Sequence, residues 1–216
     1  MFGLFNKKKE NTAESEINPV PEAERRIYII DFDRTITILH TGGLAYGNEL
    51  SAEFIQRNIK KGFADFVRKI MGYGHKIYIA TYNDDANADI VAGEALSGHA
   101  LIKYYMDLEF GRDQDLFTIS QKNEAGEIVS AGNIIARNSQ DLKQYHLDTI
   151  SSREGMDQKN PDDMKQIYLL EDDEDVVRHY SEKGCTTIVP VSASRSADTA
   201  ATKTLFTVYM PESFIA

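Results

Sequence analysis

The chain has 216 residues, of which 42% are hydrophobic and 27% are charged; this globular composition excludes a mostly disordered protein and suffices for one domain. Its 24 basic and 34 acidic residues give a net charge of −10, which disfavours binding to nucleic acid or to an anionic membrane surface. The single cysteine, Cys185, excludes an internal disulfide and a cysteine-built zinc site.

The sequence offers no membrane-spanning segment. No apolar run approaches the roughly 18 residues that such a span needs, and the first five residues lack the apolar centre of a signal peptide. We therefore expect a protein of a reducing compartment such as the cytoplasm.

Residues 1–24 are predicted to form a flexible tail, and residues 25–216 the folded domain. The tail has three consecutive lysines followed by acidic residues and two prolines, with little to bury. A solvated terminus is the expectation, and contact of the basic run with a membrane or a partner is the alternative.

Four apolar runs rich in β-branched residues predict strands buried on both faces. They are Ile27–Ile30, Ile77–Ala80, Ile167–Leu170 and Thr186–Val189. Between them, helical spacing is found over residues 52–71, after Asn83-Asp84-Asp85, and before Gly184. This alternation predicts an α/β fold, a three-layer Rossmann-like sandwich around a central parallel sheet.

Residues 112–132 fit the alternation less well. The turn sequence Asn123–Glu127 lies between two short apolar runs, which predicts a β-hairpin. We expect this hairpin to act as a small lid. Part of the last twenty residues, 197–216, is expected to pack on the domain.

Polar residues follow three of the predicted strands, at the edge where parallel sheets bind ligands. They lie in the segments 31–35, 81–84 and 171–175, which carry acidic groups and one threonine. So much negative charge predicts a bound cation, and Mg²⁺ is the one that prefers carboxylate oxygens. No two histidines have zinc-binding spacing.

The spacing of Asp31 and Asp33 has its own chemical logic. Side chains two residues apart in an extended chain point the same way, so one carboxylate can attack phosphorus while the other handles the proton of the leaving group. Asp31, which is nearer the strand, is the expected nucleophile, and Asp33 the expected acid and base.

Over residues 26–190 the order of these features resembles the haloacid dehalogenase (HAD) superfamily of phosphohydrolases. Asp31-Phe32-Asp33-Arg34-Thr35 matches the first motif, with Arg34 where many members have glycine. Thr81 matches the second motif, a hydroxyl that binds the transferring phosphoryl group. The resemblance implies an aspartyl-phosphate mechanism with Mg²⁺ as the cofactor.

The fourth motif of that superfamily is an acidic pair. Comparison with its magnesium-dependent phosphatase branch, aligned on the turn Lys183-Gly184, places the pair at Glu171 and Asp172. Asp31, Asp33 and Asp172 are then the implied metal ligands. Glu171 and Asp173 are implied supporting acids, although Asp173 also suits the solvated start of a helix.

The third motif is a lysine that neutralises the nucleophile and the phosphoryl oxygens. Lys143 is favoured because Lys143–His146 resembles the Lys-x-x-His segment of the same branch. Lys159, before Asn160-Pro161, resembles the Lys-Pro form of other members and stays open as the alternative. Lys165 is expected to lie on the surface.

The chain has no room for a folded cap, so an open site and a phosphoprotein substrate are expected. The pattern resembles the tyrosine-specific phosphatases of the superfamily, some of which bacterial pathogens secrete into host cells. Arg34, Tyr82 and Asn83 are the candidates for substrate contact, whereas His40 is expected to be an ordinary surface residue. The alternatives are a small-metabolite phosphatase and a silent phosphatase-like binding module.

Overall fold

A computed structural model describes residues 19–83, 95–138 and 140–190. The strands are β1 (Ile27–Ile30), β2 (Leu44–Tyr46), β3 (Lys76–Thr81), β4 (Ala95–Ser97), β5 (Gln121–Lys122), β6 (Ile128–Ser130), β7 (Ile134–Ala136), β8 (Ile167–Leu170) and β9 (Thr186–Ile188). The helices are α1 (Ala52–Asn58), α2 (Phe63–Gly72), α3 (Gly98–Phe110), α4 (Gln144–Glu154), α5 (Pro161–Met164) and α6 (Glu174–Glu182). None of these helices has the length and apolarity that crossing a bilayer requires.

Five strands form a parallel sheet in the order β7-β3-β1-β8-β9. The central strand β1 is buried along its whole length, which is why its sequence is a continuous apolar run. Ile30 pairs with Ile79 of β3 and with Leu170 of β8. The carboxyl ends of the three strands are therefore level, and the residues that follow them lie at one edge of the sheet.

Helices cover both faces of this sheet. Tyr28 and Ile30 point to the face packed by residues of α1, α2 and α3, whereas Ile27 and Ile29 point to the face packed by α4, α5 and α6. This alternation follows from the period of two in a strand. The predicted three-layer α/β fold with a central parallel sheet is confirmed.

The single helix predicted over residues 52–71 is wrong in one respect, because the chain forms two helices there. Between α1 and α2, Ile59 forms a β-bridge with Thr37, and Gly62 takes a φ of +85° that ends helical geometry. The helix α2 itself forms as its spacing predicts, with four buried positions at helical intervals: Phe63, Phe66, Val67 and Ile70.

Several predictions fall on parts of the chain outside the described residues. These are most of the tail (1–18), the helix expected after Asn83-Asp84-Asp85 (84–94) and the last segment (191–216). Within the described end of the tail, Glu22–Glu24 form one exposed 3-10 turn. The division into a tail and a domain remains a prediction.

The predicted hairpin exists as β5 and β6, whereas its expected role as a lid stays a prediction. It leads into the amino end of β7, where Arg153, near the end of α4, donates hydrogen bonds to the Gly132 carbonyl and the Ser120 hydroxyl. This is the end of the sheet opposite the carboxyl ends of the strands. A hairpin that precedes a parallel strand joins the sheet at the end where that strand begins.

A short connection after β1 instead lies beside the carboxyl edge; we call residues 37–46 the strap. Asn58 fixes its backbone, because the Ile38 amide donates to the Asn58 carbonyl (2.7 Å) and the Leu39 amide donates to Asn58 Oδ1 (2.8 Å). The end of the strap, β2, pairs with β4 as a small antiparallel sheet. The strap is thus tied to the body of the protein.

Candidate active site

A cavity of about 290 Å³ opens at the carboxyl edge of the parallel sheet. Its walls include Asp31 after β1, Thr81 at the end of β3, Lys143 before α4 and Glu171 after β8. These residues are far apart in the chain and meet because parallel strands end at the same edge.

Lys143 stands at the centre of the site. Its Nζ lies 2.5 Å from Asp31 Oδ1 and 2.5 Å from Glu171 Oε2, and it donates a third hydrogen bond to the Ala80 carbonyl at 3.1 Å. All three donors of the ammonium are used, so its position is fixed. Of the two lysines left open by the sequence, Lys143 is the one that contacts the expected nucleophile.

The backbone around Lys143 is built to aim this side chain inward. Leu142 and Lys143 both have positive φ, 53° and 63°, a conformation that costs free energy for residues other than glycine. The Tyr180 hydroxyl of α6 donates to the Lys143 carbonyl at 3.1 Å. This left-handed turn directs the Lys143 side chain toward the carboxyl edge of the sheet, just before α4 begins.

The ionisable groups strongly perturb one another. Burial alone would lower the pKa of Lys143, but the carboxylates of Asp31 and Glu171 together raise it above its ordinary value, so the ammonium stays charged. Burial raises the pKa of Asp31 and of Glu171, and Lys143 opposes both shifts. One ammonium thus holds two buried carboxylates, each of which it neutralises only in part.

Asp31, Glu171 and Asp172 form a carboxylate cluster. One oxygen from each of the three lies within 4.8 Å of the other two. The three carboxylates outnumber the ammonium of Lys143, which contacts two of them. Hard oxygen donors with that excess fit a divalent cation such as Mg²⁺, so the residues present suit the cofactor implied by the resemblance.

The carboxylate of Asp33, predicted as a metal ligand, does not join this cluster. It accepts hydrogen bonds from the strap, at 2.8 Å from the Thr41 amide and at 3.2 Å from the Thr41 hydroxyl, and another from Asn83 Nδ2 at 3.3 Å. His40 Nδ1 lies 3.7 Å from the same carboxylate. Asp33 therefore lines the cavity on the side of the strap.

The strap must approach Asn83 closely to make this arrangement. Gly43 has a φ of +78°, and a Cβ there would collide with Asn83 Oδ1. The positive φ therefore favours glycine, and a larger residue there would also displace the Asn83 side chain. Asn83, predicted as a substrate contact, lines the cavity and also fixes Asp33.

The turn after Asp31 is held by a second buried lysine, Lys60. Arg34 has a φ of 60°, which explains why glycine suits this position in related motifs. The Lys60 ammonium donates a hydrogen bond to the Arg34 carbonyl, and Lys60 is only 9% exposed. Burial lowers the pKa of Lys60, and the charges of Asp172 and Asp31 oppose that shift.

Thr81 is buried and is positioned by His146. The Thr81 carbonyl accepts a hydrogen bond from His146 Nε2 at 3.0 Å. Burial and the Lys143 charge lower the pKa of His146 to about 4, so the ring is neutral at pH 7. The other ring nitrogen, Nδ1, is buried without a hydrogen-bond partner. The neutral ring fixes the end of β3.

Tyr82 and Arg34, the other two predicted substrate contacts, line the cavity. The half-buried Tyr82 ring has the Lys143 Nζ 5.0 Å from its centroid, and its edge packs against His146. Burial raises the pKa of Tyr82 to about 12, so the hydroxyl is protonated at pH 7. The side chain of Arg34 is exposed and free to reach a bound anion.

Two other residues predicted for the site, Lys159 and Asp173, lie outside the carboxylate cluster. Lys159 is exposed in the turn before α5, where its amide donates to Asp157, and this turn precedes the amino end of β8. Lys159 therefore does not lie among the residues that line the cavity, whereas Lys143 does. Asp173 caps α6 by accepting from the amides of Asp175 and Val176, so its carboxylate supports the helix.

Lys60 and Thr41 could not be assigned to the site from the sequence. Lys60 and Thr41 belong to no recognised motif and reach the site through the strap and the connection between α1 and α2. His40, expected to be an ordinary surface residue, lines the cavity. The glycines at positions 42 and 43 were the signal that the chain turns back over Asp33.

No protein-family model and no curated protein matches this chain. Among solved structures, it is similar to the HAD domain of the effector protein Lem4 from Legionella pneumophila, at 15% sequence identity and a TM-score of 0.38. That similarity covers 76% of this chain and 84% of the Lem4 chain. The chemistry of the present chain is therefore inferred from its own side chains.

Proposed function

We propose that the chain is a Mg²⁺-dependent phosphomonoester hydrolase that acts through an aspartyl-phosphate intermediate. The observation that carries the proposal is the buried Asp31 carboxylate, 2.5 Å from the Lys143 ammonium and within the cluster formed with Glu171 and Asp172. A buried carboxylate with a fixed cation and an open cavity before it is suited to attack a phosphate ester.

In the first step, an Asp31 oxygen forms a bond to phosphorus and the ester P–O bond breaks. Asp33, at the cavity opening, donates a proton to the leaving oxygen. In the second step, Asp33 takes a proton from water as the water oxygen bonds to phosphorus, and the bond to Asp31 breaks. Inorganic phosphate leaves, and both carboxyl groups return to their starting states.

The surrounding residues bind and orient the phosphoryl group. Lys143 faces the nucleophile, and its charge attracts the phosphoryl oxygens. Thr81 offers a hydroxyl from the end of β3. Asp31 and Asp172, with Glu171 beside them, would hold Mg²⁺. When bound, the cation supplies positive charge that neutralises the repulsion between the carboxylates and the phosphate.

The proposed substrate is a phosphoprotein, with phosphotyrosine favoured. The hairpin β5–β6 lies at the other end of the sheet, so in the described part of the chain it does not close the cavity over a small metabolite. Tyr82 presents an aromatic face at the opening, which suits a phosphorylated ring. Delivery of the protein into a host cell remains a prediction from the resemblance alone.

The test is release of inorganic phosphate from p-nitrophenyl phosphate and phosphotyrosine, with Mg²⁺ and with the chelator EDTA. Asp31→Asn is expected to lower the rate at least ~10³-fold, because the nucleophile is lost. Asp65→Asn, which removes an exposed carboxylate of α2, is the matched control and keeps its activity.

Two results would contradict the proposal. If wild type and Asp31→Asn are equally inactive on every phosphate ester, the chain is a binding module without turnover. If a panel of phosphotyrosine, phosphoserine and sugar phosphates shows the fastest turnover on sugar phosphates, the protein-substrate part is wrong.

A further inference from the structure

A second, smaller cavity adjoins the candidate active site. Its volume is about 70 Å³, and it shares His40 and the strap with the larger cavity. Leu39, Leu44, Phe54 and Tyr105 give it apolar walls, and Glu49 and Asn58 add polar groups to the lining. Nothing in the proposed hydrolysis of the phosphate ester requires this cavity.

The strap presents apolar side chains to solvent beside this cavity. Ile38 is 49% exposed, Leu39 is 54% exposed and Tyr46 is 58% exposed. Their backbone is fixed by the two hydrogen bonds that Asn58 accepts and by the pairing of β2 with β4. A rigid segment that keeps large apolar groups in water is unusual for a surface that contacts nothing.

The expected position of the substrate chain beyond the phosphate points to the same surface. The leaving oxygen must come within hydrogen-bond reach of Asp33, because Asp33 is the proposed proton donor. Asp33 is itself held by the Thr41 amide and hydroxyl. A peptide whose phosphorylated residue is bound beside Asp33 would therefore lie close to the strap and to the smaller cavity.

We propose that the smaller cavity is a specificity subsite that binds an aliphatic side chain of the substrate, close in sequence to the phosphorylated residue. This inference rests on the proposed phosphatase function and adds to it the class of peptide that is preferred. A volume of about 70 Å³ between leucine and phenylalanine side chains suits a short branched aliphatic group. His40 separates this group from the phosphate.

The test uses phosphotyrosine peptides of glycine and serine in which one leucine is moved through the two positions on either side of the phosphotyrosine. For wild type we expect one position to raise kcat/KM about 10-fold over the peptide without leucine. Leu39→Ser should reduce that ratio to about 1, because it removes an apolar wall. The ratio of two peptides cancels any loss of rate common to both.

Ile128→Ser is the matched control. Ile128 is a 54% exposed aliphatic residue, like Leu39, but lies on the hairpin away from the site, so this variant should keep the 10-fold ratio. Equal kcat/KM for all peptides in wild type, or an unchanged ratio in Leu39→Ser, overturns the subsite while phosphatase activity stands. Absence of hydrolysis of both p-nitrophenyl phosphate and all peptides overturns the subsite and the proposed function together.

Discussion

The Lys143 Nζ lies 2.5 Å from an Asp31 oxygen and 2.5 Å from a Glu171 oxygen, although Lys143 is 112 residues from Asp31 in the chain. All three side chains are buried. The ammonium therefore has two consequences: it positions the proposed nucleophile, and it makes the burial of two carboxylates tolerable.

Replacing this lysine should affect folding as well as activity. Lys143→Met leaves two buried carboxylates without a cation, so we expect the free energy of unfolding at pH 7 to fall by about 3–5 kcal/mol. The loss should be smaller near pH 5, because a protonated carboxyl group costs less to bury. Urea unfolding at both pH values measures it.

Lys159→Met is the matched control for this change. Lys159 is exposed, so the free energy of unfolding of this variant should equal that of wild type within about 0.5 kcal/mol. A Lys143→Met protein as stable as the control would contradict the account of the charge cluster.

Mg²⁺ should stabilise the protein through the carboxylate cluster. At a concentration 100 times the dissociation constant, a cation that binds only the folded state adds about 2.7 kcal/mol. For a domain of this size, that shift should raise Tm by roughly 5–10 °C. Asp172→Asn is expected to remove most of the rise, because it deletes one of three clustered carboxylates.

Glu174→Gln provides the comparison within the same acidic run. Glu174 is exposed at the start of α6 and lies outside the cluster, so its Tm should respond to Mg²⁺ as wild type does. An equal loss of the response in both variants would indicate binding to the acidic surface at large. Differential scanning calorimetry with and without Mg²⁺ makes the measurement.

His146 should make stability fall in mild acid. Its pKa is about 4 in the folded protein and near 6.5 in the unfolded chain, so the unfolded state gains a proton first. The contribution is complete above pH 6.5 and is lost progressively as the pH falls to about 4. Its full size is about 3 kcal/mol.

The contribution of His146 can be isolated with His146→Gln, which retains a donor for the Thr81 carbonyl. Carboxylate titration is common to both proteins, so the difference in unfolding free energy between them reports the histidine. As the pH falls from 6.5 to about 4, wild type should lose more unfolding free energy than the His146→Gln variant. A difference that is independent of pH would contradict a neutral buried ring.

Lys60 should weaken cation binding at the neighbouring cluster. Its ammonium acts electrostatically on Asp31 and Asp172, so Lys60→Met should tighten Mg²⁺ binding measured by calorimetric titration. The same change removes a hydrogen bond to the Arg34 carbonyl and should cost about 1 kcal/mol of stability. Lys61→Met changes the same charge at an exposed neighbour; equal effects on Mg²⁺ binding would contradict a local role for Lys60.

The strands that carry the site could be predicted because both of their faces are buried. β1 and β8 coincide with continuous apolar runs, and β3 extends its run by one residue at each end. β7 has only three residues, too few for periodicity to distinguish it from a loop. The first strand of the hairpin, β5, begins after the apolar run that predicted it. The turn at Asn123–Glu127 determines which residues of the two strands pair.

The residues of the candidate site likewise include some that the sequence could predict and some that it could not. Asp31 and Glu171 directly follow buried strands and Thr81 ends one, so their common location follows from the sheet. Lys143 and Lys159 could not be separated by sequence, because the distinction depends on which end of the sheet each turn occupies. Lys60 reaches the site through tertiary contacts that leave no periodic signal.

The parallel sheet brings together groups of the proposed active site that come from distant stretches of the chain. Asp31, Thr81, Lys143 and Glu171 become neighbours only when β1, β3 and β8 are paired and α4 has docked. Refolding from denaturant should therefore restore helical circular dichroism before turnover. Recovered catalysis would be a late reporter of long-range assembly, slower than any signal from local structure.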